Sequence, residues 1–208
     1  MMQNHLFNMP TDCNLNLLPK DGRIYYQPGV FDETQCNHFL TALQDSLVWE
    51  QDRLLMFGRI VITRRKVAWV GDPKCTYTYS GAQKNPQAWT PELLLIKSKM
   101  EAIAQSEFNS CLLNLYYDGS DGMGWHSDNE EELDAKAPIA SLSIGARRKF
   151  AFRNKKDKET LSLFLENGSV LTMHTPTQKY WQHSLLKTKT VTAPRINLTF
   201  RKIIPPHE

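Results

Sequence analysis

The sequence predicts an α+β, mostly β domain: a β-sandwich or barrel buttressed on one face by N-terminal helices. Three observations carry this. Two segments with helical apolar spacing lie in the first half of the chain, one beginning after Asp32 and one after Thr90. From Asn109 onward the apolar period shortens to two, in short runs separated by Gly, Pro, Asp or Lys clusters. The length of 208 residues, with 41% hydrophobic and 23% charged residues, suits one ordinary globular domain.

Residues 1–20 read as a flexible arm, and 21–208 as the single domain. Residues 24–26 read as a short strand. Asp32 is a good N-cap, Gln35 completes a capping box, and Phe31 can staple onto Cys36. The stripe of this helix is Cys36, Phe39, Leu40, Leu43 and Leu47. The second helix has Thr90 as N-cap and Pro91 in its first turn, with Leu93, Ile96, Met100, Ile103 and Ala104 on one side. Both stripes are docking faces. Candidate strands follow at 111–117, 139–144, 148–153, 161–165, 169–174, 181–186 and 195–201, with a solvated turn at 155–158.

The stretch between the helices, about 50–85, has a different character. Residues 53–62 read RLLMFGRIVI, two apolar arms around Phe57-Gly58, which is a hairpin pattern. Arg64, Arg65 and Lys66 follow. Two readings stand: a hairpin folded back on the core, or an exposed apolar wedge with cations beside it.

Composition excludes several classes. No apolar run approaches the roughly 20 residues that span a bilayer, so no membrane association is expected. The start MMQNHLFNMPTDCN lacks a cationic segment followed by an apolar block, so no secretory signal is expected. Cys13, Cys36, Cys75 and Cys111 form no CxxC pair and read as unpaired thiols in a reducing compartment. A net charge of +3 permits a polyanionic partner without requiring one.

His126-Ser127-Asp128 is the one His-x-Asp in the chain; roughly 0.3 are expected by chance, so its context matters. It follows a strand and the loop DGSDGMG. In extended backbone His126 and Asp128 share a face and could reach one metal ion. His183, in WQHSLL, is the candidate third ligand; His174 competes but reads as structural. Two imidazoles and one carboxylate with open positions suit non-haem Fe(II) and O2 chemistry. On the last strand Arg195, Asn197, Thr199 and Arg201 share one face, while Ile196, Leu198 and Phe200 share the other. If the polar face points inward, its guanidiniums need an anion, and a dicarboxylate would serve. If outward, they are surface rungs paired with acids. Asn114 and Tyr116 share a face of strand 111–117 and could reach the same ligand.

The blocks FNSCLLNLYYDGSDGMGWHSDNE, SLSIGARRKFAFR, WQHSLL and PRINLTFR occur in this order and resemble the AlkB family of Fe(II)- and 2-oxoglutarate-dependent dioxygenases, most of all its nucleic-acid demethylases. The resemblance covers about 50–203. It implies a double-stranded β-helix (jelly roll), Fe(II) on His126, Asp128 and His183, the distal carboxylate of 2-oxoglutarate on Arg195 and Tyr116, and its keto-acid end on Asn114 and Arg201. It implies O2-dependent removal of an N-methyl group as formaldehyde, with 2-oxoglutarate decarboxylated to succinate. Within CTYTYSG it implies that Tyr79 stacks on the target base opposite His126, with Tyr77 and Glu130 in polar contact. Phe57 matches the finger that fills the gap left by a flipped base in members acting on duplex DNA. Arg64, Arg65 and Lys66, and also Arg147, Arg148 and Lys149, are candidate phosphate contacts. Where the family commonly has a Pro ahead of the second of the first three, this chain has Arg64.

The expected function is oxidative demethylation of 1-methyladenine and 3-methylcytosine in alkylated duplex DNA, by a monomer in the cytoplasm, or in the nucleus of a eukaryote. The rivals are an RNA or single-strand demethylase, a non-catalytic nucleic-acid-binding barrel, and an oxygenase acting on a protein or small molecule.

Overall fold

The computed structural model describes the backbone of residues 13–56, 59–75, 77–79 and 82–204, and their side chains outside 52–61 and 77–84. In chain order the elements are β1 (Arg23–Gln27), α1 (Glu33–Ser46), β2 (Glu50–Met56), β3 (Arg59–Gly71), β4 (Tyr77–Tyr79), β5 (Ala82–Lys84), α2 (Pro91–Ala104), β6 (Ser110–Tyr116), β7 (Met123–His126), β8 (Ile139–Gly145), β9 (Arg148–Asn154), β10 (Thr160–Leu165), β11 (Ser169–His174), α3 (Thr177–Tyr180), β12 (Trp181–Leu185) and β13 (Arg195–Arg201).

Two antiparallel sheets face each other, as in a jelly roll. The larger has the order β1-β11-β8-β13-β6-β3-β2, the smaller β10-β9-β12-β7; β4 and β5 form a separate hairpin. From β6 to β13 the chain crosses between the sheets at every connection except β9–β10, which pair as neighbours in the small sheet.

Period-two alternation builds two cores. Ile196, Leu198 and Phe200 of β13 and Cys111, Leu113 and Leu115 of β6 point out of the sandwich. There they meet Phe39 and Leu43 of α1 and Leu93, Ile96 and Met100 of α2. Each fully buried side chain of this size contributes about 1.5–3 kcal/mol, so this layer fixes the two helices more firmly than their caps do. The second core, with Phe152, Leu163, Leu171, Met173 and Trp181, lies between the sheets. Leu17 and Leu18 tuck into it, so the inner end of the N-terminal arm is docked.

The capping box of α1 is formed: Asp32 accepts from the backbone N–H of Gln35, and the Gln35 side chain accepts from Asp32 N. Phe31 and Cys36 pack in one cluster. All seven candidate strands are present to within a residue at each end.

The hairpin differs in extent from expectation. Its second arm runs 13 residues, through Arg64 and Lys66 to Gly71, and its last six pair with β6 from Leu115 to Ser110. The basic triplet is therefore strand, anchored in the large sheet, and Arg64 continues it where a Pro would remove a donor. Register Met56↔Arg59 brackets the turn; Phe57 and Gly58 lie outside the described residues. The chain also forms β7 and the short helix α3 within stretches that read as loops.

Candidate iron and 2-oxoglutarate site

His126 ends β7 and His183 sits in β12, and the register pairs them directly. Their rings are 4.3 Å apart between centroids. Asp128 follows two residues on, 6% exposed. Its Oδ1 lies 3.8 Å from His126 Nε2 and its Oδ2 3.9 Å from His183 Nε2. The three ligand atoms fall within 4.8 Å of one another. Ligand atoms at right angles around a first-row metal lie roughly 3 Å apart, so closure by no more than about 2 Å completes a three-ligand face. His174 is not in this group; it closes β11 with its ring 5.3 Å from Tyr25.

Outer contacts pre-set the group. His126 Nδ1 lies 2.8 Å from Gly124 O, which holds the proton on Nδ1 and leaves the Nε2 lone pair for a metal. Gln178 accepts from Asp128 N at 3.0 Å, and Ser127 Oγ donates to Trp181 O at 2.9 Å. Phe150 stacks on His183 at 5.5 Å. Burial, aided by the His126 and Arg201 charges and opposed by Asp128, drives the pKa of His183 down to about 4, so this imidazole is neutral at pH 7. Burial alone would raise Asp128, but Arg201, His183 and His126 together hold it below the usual carboxylate value. Two imidazole nitrogens and one carboxylate fit a divalent cation of the Fe(II) kind.

The polar face of β13 points inward. Arg195, Asn197, Thr199 and Arg201 line a cavity of about 130 Å³ with Asn114, Tyr116, His126, Asp128 and His183. Arg195 is 1% exposed. It donates to Ser143 Oγ at 2.8 Å and Asn197 Oδ1 at 2.7 Å, and its guanidinium carbon lies 5.5 Å from the Tyr116 ring centre. Its Nε is buried without a partner, and no carboxylate pairs with it among the described residues. Burial lowers its pKa to about 10, with Arg148 adding to the fall and Tyr116 opposing it. Isolating such a charge costs several kcal/mol, so the cavity is built for an anion at this end. Gly145, at φ +90, faces Arg195 across the β8–β13 ladder, where a Cβ would lie 2.5 Å from Pro194 O. At the other end Arg201 donates to Asp128 Oδ1 at 2.8 Å and has Glu130 3.9 Å away. Asn114 Oδ1 and His183 Nδ1 are also buried without partners. Orphaned polar atoms, the Arg195 Nε donor among them, beside a His/carboxylate group fit a metal and a dicarboxylic keto acid together.

A family model of the 2OG-Fe(II) oxygenase superfamily matches residues 23–201. Proteins named DNA oxidative demethylase ALKBH2 are similar: that of Bos taurus is 43% identical over 161 residues, covering 74% of this chain and 58% of the relative. The Homo sapiens protein is 42% identical, covering 73% and 61%. The Alpha-ketoglutarate-dependent dioxygenase alkB homolog 3 of Mus musculus is 34% identical over 192 residues, 88% of this chain and 67% of that one.

The chain belongs to the AlkB family of 2OG-Fe(II) oxygenases.

The solved structure of OsALKBH1 has the same fold, with a TM-score of 0.61 at 19% identity, covering 86% of this chain and 97% of that one. The match to the Bos taurus protein spans under two thirds of that protein's length. AlkB-family oxygenases use Fe(II), 2-oxoglutarate and O2, and the cavity has a group able to hold the metal.

The other expected residues fall in several places. Asn197 orients Arg195 and accepts from Ser141 Oγ. Glu130 stands at the cavity rim beside Arg201. Tyr77 and Tyr79 lie on β4, paired with β5; their side chains, like Phe57, lie outside what is described. Arg65 does not face outward as a phosphate contact would: it is 3% exposed, with Nη1 3.1 Å from Met123 Sδ, and Met123 lines the cavity. Arg64 folds onto Asp118 at 2.6 Å and Ser120 at 3.0 Å. Arg148 is likewise not a phosphate contact, being 1% exposed and bonded to backbone carbonyls. Arg147 pairs with Glu166. Sequence reasoning did not find Met123, Ser141, Ser143, Phe150 or Gln178. Alternation along β8 would have placed both serines on the cavity face; Gln178 carries no sequence signal.

The described residues contain no helix long and apolar enough to cross a membrane.

Proposed function

We propose that this chain is an Fe(II)- and 2-oxoglutarate-dependent oxidative demethylase of alkylated DNA, acting on 1-methyladenine and 3-methylcytosine and preferring duplex. Residues 21–208 form its single catalytic domain, working as a monomer wherever DNA is kept, a bacterial cytoplasm or a nucleus. One observation carries the cosubstrate reading: a buried, carboxylate-free guanidinium, Arg195, shares a small cavity with the His126, Asp128 and His183 group. The similarity to proteins named DNA oxidative demethylase supports DNA as substrate.

His126, Asp128 and His183 hold the iron. Bound there, Fe(II) supplies O2 activation coupled to decarboxylation of 2-oxoglutarate. Arg195 and Tyr116 take the distal carboxylate, with Asn197 and Ser143 holding the fork of Arg195 in place. Asn114 and Arg201 take the keto-acid end. The target base cannot reach this cavity inside a duplex, so it is flipped. Tyr79 and His126 sandwich it, where stacking contributes about 1–3 kcal/mol. Tyr77 and Glu130 supply polar contacts; the carboxylate of Glu130 suits a base made cationic by N-methylation. Phe57 wedges into the vacated step. The methyl group leaves as formaldehyde and the base is restored.

Incubation with methylated and unmethylated oligonucleotides, reading formaldehyde against succinate, tests this. Formaldehyde dependent on the methyl group is expected. Succinate alone would point to another prime substrate, and neither product to a binding barrel. Phe57→Ala should impair duplex repair more than single-strand repair; equal loss removes the duplex preference and favours a single-strand or RNA demethylase.

A further inference from the structure

The hydrogen-bonded ladder between β12 and β7 stops at His183↔His126, the last residue of β7. Asp128 lies two residues past it and is buried, so its backbone N–H needs a partner that the sheet no longer supplies. Side chains take over. Ser127 Oγ donates to Trp181 O at 2.9 Å, and the side-chain oxygen of Gln178 accepts from Asp128 N at 3.0 Å. Gln178 Nε2 lies 3.4 Å from Met173 Sδ, which fixes the way its amide is turned.

Gln178 stands on α3, a single turn of four residues that is too short to hold itself. Other elements hold it. Thr177, fully buried, accepts from Arg23 N at 2.9 Å and donates to Arg23 O at 3.1 Å, so the turn is fastened to β1. Lys155, just past the end of β9, donates through Nζ to Gln178 O at 2.8 Å and through its backbone N to Tyr180 O at 2.8 Å. Asp128, Gln178, Lys155 and Met173 also border a cavity of about 450 Å³. With open space on that side, packing does not press Asp128 into place, and hydrogen bonds must do so. Two separate bonds fix this residue: Arg201 takes its carboxylate and Gln178 its main chain.

We propose that Gln178 is a positioning residue for the metal ligand Asp128, with Lys155 bracing the turn that carries it: the pair aims the carboxylate at the point where His126 and His183 converge. This rests on the reading of His126, Asp128 and His183 as the iron ligands. It assigns part of the metal affinity to two residues that touch no metal, and it joins β1 and the end of β9 to the metal centre through a one-turn helix.

The test is Mn(II) titration of the full chain, read by electron paramagnetic resonance. Gln178→Met removes the acceptor at nearly constant volume and charge. It should weaken Mn(II) binding on the order of tenfold, the lower end of the usual effect of an outer partner. Gln178→Glu keeps an acceptor oxygen at the same reach and should bind at least as tightly as wild type. Lys155→Met separates positioning from charge by its sign. Loss of a nearby cation alone tightens a divalent metal, whereas loss of the brace weakens it, by roughly threefold. Gln178→Met combined with Lys155→Met should be no weaker than Gln178→Met alone, because the brace then has nothing to aim. Unchanged affinity in Gln178→Met, equal loss in Gln178→Glu, or tighter binding in Lys155→Met would each overturn the proposal. Absence of Mn(II) binding by wild type would overturn the ligand assignment along with it.

Discussion

Arg201 Nη2 donates to Asp128 Oδ1 across 2.8 Å, so one guanidinium steadies the single carboxylate among the three candidate iron ligands. Asp128 is buried and Arg201 largely so, at 5% and 13% side-chain exposure, and the pairing raises the Arg201 pKa although burial alone would lower it. Breaking a buried pair by removing one partner strands the other.

Arg201→Leu should therefore weaken metal binding by about 10- to 100-fold, the usual effect of losing an outer partner of a ligand. Mn(II) titration followed by electron paramagnetic resonance measures it. An unchanged Mn(II) affinity would mean that Asp128 is oriented by Gln178 and its own backbone.

The metal-free protein should lose stability on mild acidification. Folded, His183 titrates near 4; unfolded, near 6.5. Between these values the unfolded chain takes up a proton that the folded one refuses. Stability from this group is fully present above about pH 6.5 and is lost as pH falls toward 4, by on the order of a few kcal/mol. Asp128, whose folded pKa is lowered, adds its own loss only below the ordinary carboxylate range. Thermal unfolding of His183→Asn should be flatter between pH 6.5 and 4 than that of wild type; identical slopes would refute the assignment.

Asn197→Ala removes the acceptor that holds Arg195 Nη2 at 2.7 Å. Affinity for 2-oxoglutarate should fall roughly tenfold, a charge-assisted hydrogen bond's worth, with the Mn(II) affinity unaltered. Loss of metal affinity in this variant would show that the two ends of the cavity are not separable.

Asp32→Ala takes away the capping box of α1, far from the cavity. The expected cost is about 1 kcal/mol, a drop in Tm of roughly 2–4 °C at this chain length, with ligand affinities unmoved. A collapse of ligand binding would mean that α1 supports the site more directly than its packing on the outer face of the large sheet implies.

What the chain spells out in residue order follows its physics. The caps at Asp32 and Thr90 and the alternation in β13 are local signals, and local signals survive folding. The His126-x-Asp128 face was legible for the same reason, since two residues of one extended segment share a side. The choice of His183 over His174 was not local: it depends on β12 pairing with β7, a contact that spans 57 residues between His126 and His183. Arg148 and Arg65 misled because clustered cations read as surface, whereas backbone carbonyls and Met123 receive them inside. The length of β3 was hidden because a basic triplet interrupts its apolar run without interrupting its hydrogen bonding.

β3 has one further consequence. The same continuous ribbon forms an arm of the 50–71 hairpin and then rides alongside β6, rung for rung, from Lys66↔Leu115 to Gly71↔Ser110. Asn114 and Tyr116 hang from that neighbouring rail. A displacement of the hairpin arm is thus passed along a continuous hydrogen-bonded ladder to the strand whose side chains line the cavity.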